Sequence, residues 1–112
     1  MIQEHKFGSF IIDGKTFLGD IKIMNTRVRY WGTRDKHVVF IKDIKDIIEY
    51  NPEVLIVGTG NSGYLDIDSE VRNFLMQNKI KLFMDKNTEA IVKYNQLVSE
   101  NKKVAAIFHA TC

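Results

Sequence analysis

Three stretches of this 112-residue chain hold residue types that can do chemistry. The first is Gly58-Thr59-Gly60-Asn61-Ser62-Gly63, directly after the apolar run Val54-Leu55-Ile56-Val57. Glycines let a backbone approach a phosphate closely, and G-x-G-x-x-G after a strand is the dinucleotide-binding spacing. A helix opening behind such a loop would add unpaired N–H groups and a positive dipole end. Asp85, at the end of a later apolar run, is an acid placed to receive a ribose hydroxyl. Against this, Tyr64 to Asp68 intervene before a credible helix cap, and Asp66 and Asp68 would repel a phosphate. Only one β-α-β-α-β half is available, where a dinucleotide usually spans two. A sharp turn with close helix packing accounts for the same glycines. Gly58, Thr59, Gly60, Asn61, Ser62 and Gly63 are candidate positions for a small anion or nucleotide-like molecule, with hydrolase or transferase chemistry as the enzymatic version. No cofactor is assigned.

The second stretch ends the chain: His109, Thr111 and Cys112. A thiolate beside a histidine is an activated nucleophile. In an extended strand His109 and Thr111 share a face, whereas His109 and Cys112 point apart. Chain ends fray unless docked. Cys112 is read as a packed or incidental thiol, and no catalytic residue is assigned. His5, His37 and His109 are far apart in sequence and one cysteine supplies no zinc set, so no metal site is expected.

The third stretch is basic and aromatic. Arg27, Arg29, Arg34, Lys36 and Lys42 face one acid, Asp35, and Tyr30 and Trp31 lie among them. Basic residues with aromatics on a sheet can bind single strands of nucleic acid. Alternation instead sends Arg27 and Arg29 to one face and Val28 and Tyr30 to the core. A solvated cationic edge that discourages strand addition explains the charges. A protein-binding surface of Arg29, Trp31 and Arg34 competes with it, because Trp and Arg are enriched at binding hot spots.

These stretches need elements to hold them. Residues 1–31 alternate polar and apolar in short runs separated by Asp13-Gly14 and Asn25-Thr26, which suggests an antiparallel β-layer with one wet face. Asp43 is placed to cap a short helix carrying Ile44, Ile47 and Ile48, and Asn51-Pro52 ends it. Val54 to Val57 reads as a strand covered on both faces. A helix capped by Asp68 or Ser69 and stopped near Asn78 follows. Then come a strand over 80–84, a helix capped by Thr88, and a strand over 104–108. This β-α-β-α-β order predicts helices packed on a largely parallel sheet.

Composition sets the outer limits. Hydrophobic residues make up 45% of the chain and the net charge is +2. That supports one folded domain over residues 1–112 and is too weak a charge to imply nucleic acid or an acidic membrane. A single cysteine permits no internal disulfide, which fits a reducing compartment. The start lacks the order of a secretory signal, and no apolar run approaches the roughly 20 residues of a membrane-spanning helix. The chain is read as cytoplasmic and not membrane-bound.

Pro52-Glu53-Val54-Leu55-Ile56-Val57-Gly58-Thr59-Gly60, Thr88-x-Ala90, Tyr94-Asn95-x-Leu97 and the ending Lys103-Val104-Ala105-Ala106-x-x-His109-x-Thr111-Cys112 occur together in one order. In this the chain resembles a family of small proteins of unknown function. That family includes the adipogenesis-associated domain protein and the mitochondrial assembly factor 3 of NADH:ubiquinone oxidoreductase. The resemblance implies a single three-layer α/β domain, with an N-terminal β-hairpin layer packed with a mixed central sheet and helices. It implies that the last strand runs antiparallel, and it brings no established activity. It suggests that Gly58, Gly60, Thr88, Asn95 and His109 line one cleft. The resulting expectation is a non-enzymatic binding or complex-assembly protein with a protein partner. Small-molecule or anion binding at the glycine loop is the alternative.

Overall fold

The chain is described by a computed structural model over residues 1–31 and 37–112. Strands β1 (Ile2–Lys6), β2 (Ser9–Ile12) and β3 (Lys15–Leu18) form an antiparallel sheet in that order. The β2–β3 turn is Asp13-Gly14, with φ of 49° and 82°. Two successive positive φ values are what a two-residue hairpin of right-handed twist requires. Asn25-Thr26 makes the same turn, at φ 50° and 61°, between β4 (Ile21–Met24) and β5 (Arg27–Tyr30).

The second hairpin leaves the first sheet. β4 and β5 join β7 (Val54–Gly58), β9 (Lys81–Asp85) and β10 (Val104–Phe108) in a five-stranded sheet ordered β5-β4-β10-β7-β9. Residues 1–31 therefore divide between two layers rather than forming one. The last strand is the pivot: β10 runs parallel to β7 and antiparallel to β4. The expected antiparallel direction holds only on its β4 side. A short parallel pair, β6 (Val38–Val39) with β8 (Asp66–Ile67), stands apart.

Helices α1 (Ile41–Tyr50) and α2 (Ser69–Gln77) cover one face of the sheet, and α3 (Asn87–Ser99) and the β1–β3 layer cover the other. Strand β10 shows why both faces are dry. Ala105 and Ile107 pack with Ile44, Val71 and Leu75, while Ala106 and Phe108 pack with Phe10, Ile23 and Tyr94. A strand buried on both sides is apolar at every position. The same covering overturns the wet-face expectation for β4. Lys22 is buried, because α1 lies over it, and its Nζ meets Asp46 Oδ1 at 3.1 Å.

Helix ends follow local chemistry with small shifts. Phe40, not Asp43, is the residue preceding α1, and Asp43 Oδ2 accepts the Phe40 N–H at 2.8 Å from inside the first turn. Asn51 closes that helix in the left-handed region, at φ 55°, ahead of Pro52. Lys86 rather than Thr88 precedes α3, so Thr88 is an exposed residue of the first turn.

Candidate functional site

The glycine loop leaves the C-terminal end of β7 and is occupied by its own chain. Thr59 N–H donates to Asp85 O at 2.9 Å, and Asn61 N–H to Thr111 O at 2.7 Å. Ser62 and Tyr64 N–H both donate to the Cys112 carbonyl oxygen, at 3.2 and 3.0 Å. Gly60 N–H donates to Asn87 Oδ1 at 3.1 Å. These amides, the natural donors to a phosphate, already have acceptors. Two glycines answer to packing. A Cβ on Gly58 would collide with the Phe108 ring, and one on Gly60, which sits at φ +102°, with the Cys112 backbone. Asn61, Ser62 and Gly63 remain at the surface.

Asn87, which sequence reading passed over, ties this region together. Its side chain accepts from Gly60 and donates to His109 O at 2.7 Å, and it is 1% exposed. His5 Nε2 lies 2.7 Å from Asn61 Oδ1 and 3.2 Å from Asn87 Nδ2. A buried amide with both ends bonded rigidifies its surroundings.

On the other side of the His109 backbone lies a cavity of about 300 Å³, lined by Asp20, His37, His109 and Thr111 together with Gly8, Gly19, Leu65 and Ala110. Asp20 is buried at the head of β4. Its Oδ1 accepts the Ala110 N–H at 2.7 Å and its Oδ2 lies 3.1 Å from His109 Nδ1. A carboxylate only accepts, so Nδ1 carries the proton and Nε2 is left as the basic nitrogen. Thr111 Oγ1 is 3.4 Å from that Nε2, although β10 ends at Phe108 and residues 109–112 are not in a strand. The His37 ring stands edge-on at 5.1 Å. Hydroxyl, imidazole and carboxylate thus follow in the order hydroxyl, base and orienting group. Asp20 and His109 are 89 residues apart, and no spacing in the chain announces their meeting.

The cleft proposed from the family resemblance does not assemble as one unit. Gly58, Gly60 and His109 are neighbours, but Thr88 is exposed on α3 and Asn95 serves elsewhere. Asn95 Oδ1 accepts Ile2 N–H at 2.9 Å and its Nδ2 donates to Ile2 O at 2.8 Å, which sews β1 to α3. Among the described residues, no group of three or more metal-ligating side chains converges.

The partner candidates separate as well. Trp31 is 8% exposed and packs with Val39, Ile44 and Leu55, so it is a core residue. Tyr30, expected inside, is 60% exposed. It ends the edge strand β5, with its ring against Phe17 and its hydroxyl accepting Leu18 N–H at 3.2 Å. Arg34 lies outside the described residues. Arg29 is exposed and lines a groove of about 480 Å³ that runs between β5 and the β2–β3 hairpin. Ile12, Phe17 and Val28 form its apolar part, and Lys15, Arg27 and Arg29 its cationic part, with Asp13, ion-paired to the N-terminal ammonium at 2.6 Å, as the acid in the lining. β5 ends the five-stranded sheet and β3 ends the three-stranded one, so two strand edges without a partner among the described residues border this groove.

A family model described as "Protein of unknown function (DUF498/DUF598)" matches residues 2–109. The chain belongs to this family. Solved structures share the DUF498/DUF598 chain's fold. A conserved hypothetical protein from Pyrococcus horikoshii is 28% identical, with a TM-score of 0.86 over 100% of this chain and 99% of that one. A protein from Bartonella henselae described as an outer membrane protein is 24% identical, with a TM-score of 0.85 over 99% of this chain and 94% of that one. A Bordetella pertussis protein described as an Mth938-like domain is 17% identical, with a TM-score of 0.65 over 97% and 84% of the two chains. The last two likenesses speak for the fold alone. Among the described residues, no helix is long and apolar enough to cross a membrane.

Proposed function

We propose that this DUF498/DUF598 chain is a non-enzymatic protein-binding module, working in the cytoplasm, that assists the assembly of a larger complex. Its partner contributes an extended acidic segment that adds as a strand along β5. The observation supporting this is the groove of about 480 Å³ beside that edge, with apolar Ile12, Phe17 and Val28 between Lys15, Arg27 and Arg29. Strand addition takes its affinity from main-chain hydrogen bonds and its selectivity from alternate side chains. Arginines on an edge deter indiscriminate pairing, and an acidic strand neutralises them.

The test uses an acetylated, amidated (Glu-Val)4 peptide and its Lys-Val counterpart, followed by amide chemical shifts of the labelled chain. The acidic peptide is expected to move the amides of Arg27 to Tyr30, and the Arg27→Glu/Arg29→Glu variant to lose that response. Equal shifts with the basic peptide, or none at the β5 amides, would count against strand addition.

A second reading places small-molecule chemistry beside the glycine loop rather than on its amides. It is favoured by the Asp20–His109–Thr111 arrangement in the neighbouring cavity. In this reading the Thr111 hydroxyl attacks a small activated ester while His109 Nε2 takes its proton and returns it to the departing phenoxide, and water deprotonated by the same Nε2 then hydrolyses the acyl-Thr111 ester to free the acid. Release of nitrophenol from p-nitrophenyl acetate should then fall about a hundredfold or more in His109→Gln, within the ~10²–10⁴ that such proton transfer contributes. Turnover unchanged by that substitution removes the reading.

A further inference from the structure

The opposite edge of the central sheet carries a second cavity, of about 480 Å³, bounded by β9, the start of β7 and α3. Its apolar floor is built by Val54, Phe83 and Leu97, which pack on the α3 face of the sheet, while Leu82, next to Phe83 on β9, turns to the other face. Around it stand four lysines, Lys79, Lys81, Lys93 and Lys102. None of the four is ion-paired among the described residues. Glu53 also lines the cavity; its carboxylate accepts the Lys103 N–H at 2.9 Å and offsets one of the four lysine charges, which leaves the lining net cationic.

Two details show that this is more than a scatter of surface charge. Lys93 Nζ lies 5.6 Å from the centroid of the Phe83 ring, which brings an ammonium to the aromatic floor. Lys79 follows the end of α2 at φ 58°, a left-handed position where glycine or asparagine is the usual choice. A lysine there adds an ammonium to the cavity despite the unfavourable backbone region.

Four lysines and one glutamate line this mouth, so it carries a net positive charge and the ammonium groups repel one another. A bound anion relieves that repulsion, and an apolar body on the same molecule covers the floor. We propose that this cavity binds a small amphiphilic anion: a carboxylate or phosphate head joined to an apolar or aromatic group. The lysines hold the head as point charges with rotatable donors, and Val54, Phe83 and Leu97 take the body. The site is at the far side of the sheet from β5, so its fate is independent of the strand-addition reading.

The probe is 8-anilinonaphthalene-1-sulfonate, which joins an anionic head to an aromatic body, titrated by fluorescence into the full chain. Saturable binding at one site is expected, weaker at high salt and weakened about tenfold in Lys81→Glu/Lys93→Glu. The milder Lys81→Gln/Lys93→Gln pair, checked for an unchanged thermal melt, should lie between. Arg27→Glu/Arg29→Glu should bind as the parent does. Displacement by decanoate assigns an aliphatic carboxylate, and displacement by adenosine monophosphate an aromatic phosphate. Inorganic phosphate alone should displace poorly. The proposal is overturned by dye binding that both lysine pairs leave unchanged. It is equally overturned if neither organic anion competes, or if inorganic phosphate competes as well as they do.

Discussion

Asp20 and His109 are both buried and in contact. The carboxylate loses water and gains the Ala110 N–H and the imidazole, and the imidazole gains a fixed tautomer. Gly60 is constrained in a different way. Its φ of +102° excludes most L side chains, and its Cβ position is taken by the Cys112 backbone. Gly60→Ala should therefore lower unfolding stability by at least ~2 kcal/mol, measured by urea denaturation, because strain and collision act together. Tyr94 offers a titration. Burial, reinforced by the negative charge of Asp13 and the nearby Tyr50, pushes its hydroxyl from 10.0 up to about 12. The neutral phenol is the form the fold prefers, so its contribution is fully present below pH 10 and disappears as the pH rises from 10 through 12. Stability should fall by at most about 2 kcal/mol across that window. A Tyr94→Phe variant, which has no proton to lose, should show a smaller decline in the same denaturation series.

At the scale of elements, caps and turns carry much of the local specification. Asp43 reaches back to the Phe40 N–H at 2.8 Å and lies in the first turn of α1, where a negative charge also meets the positive end of the helix dipole. Asp43→Ala is expected to destabilise the chain by about 1 kcal/mol, seen as a lower melting temperature. The β4–α1 contact is a tertiary counterpart. Lys22 Nζ bonds Asp46 Oδ1 from inside the layer, and its side chain is 10% exposed against 41% for Asp46. Lys22→Ala removes the buried partner and leaves Asp46 reachable by water. The expected loss is moderate, on the order of 1–3 kcal/mol, and it includes the packing of the lysine stem. A two-state denaturant series on Lys22→Ala, Asp46→Ala and Lys22→Ala/Asp46→Ala separates the packing part from the ion pair.

The whole molecule is a sheet with two unequal edges, and each edge has a groove and a set of cations. Such edges associate unless something deters them. Arg27→Val/Arg29→Val should accordingly self-associate, and size-exclusion chromatography should show dimers or larger species at concentrations where the parent elutes as one smaller species.

Much of this architecture could be read along the chain. The two Asp-Gly and Asn-Thr turns, the β-branched run at 54–57 and the helical stripes at Ile44, Ile47, Val71, Leu75, Tyr94 and Leu97 are local patterns. Local patterns record which side of each element meets other protein, so the strands, the helices and their α/β layering followed from them, while the three layers and the mixed sheet were what the family resemblance implied. What covers an element is a different matter. Lys22 looked like a wet-face residue because its neighbours along the strand say nothing of α1 lying above it. Trp31 looked like a surface anchor and Tyr30 like core because alternation gives phase but not what covers each residue. The glycine loop matched a phosphate-binding spacing, yet its amides face Asp85, Asn87, Thr111 and Cys112, partners 24 or more residues further along the chain. Asp20, Asn87 and His109 converge for the same reason: pairing distant segments depends on how the layers stack, and stacking is a property of three dimensions with no periodic trace in one.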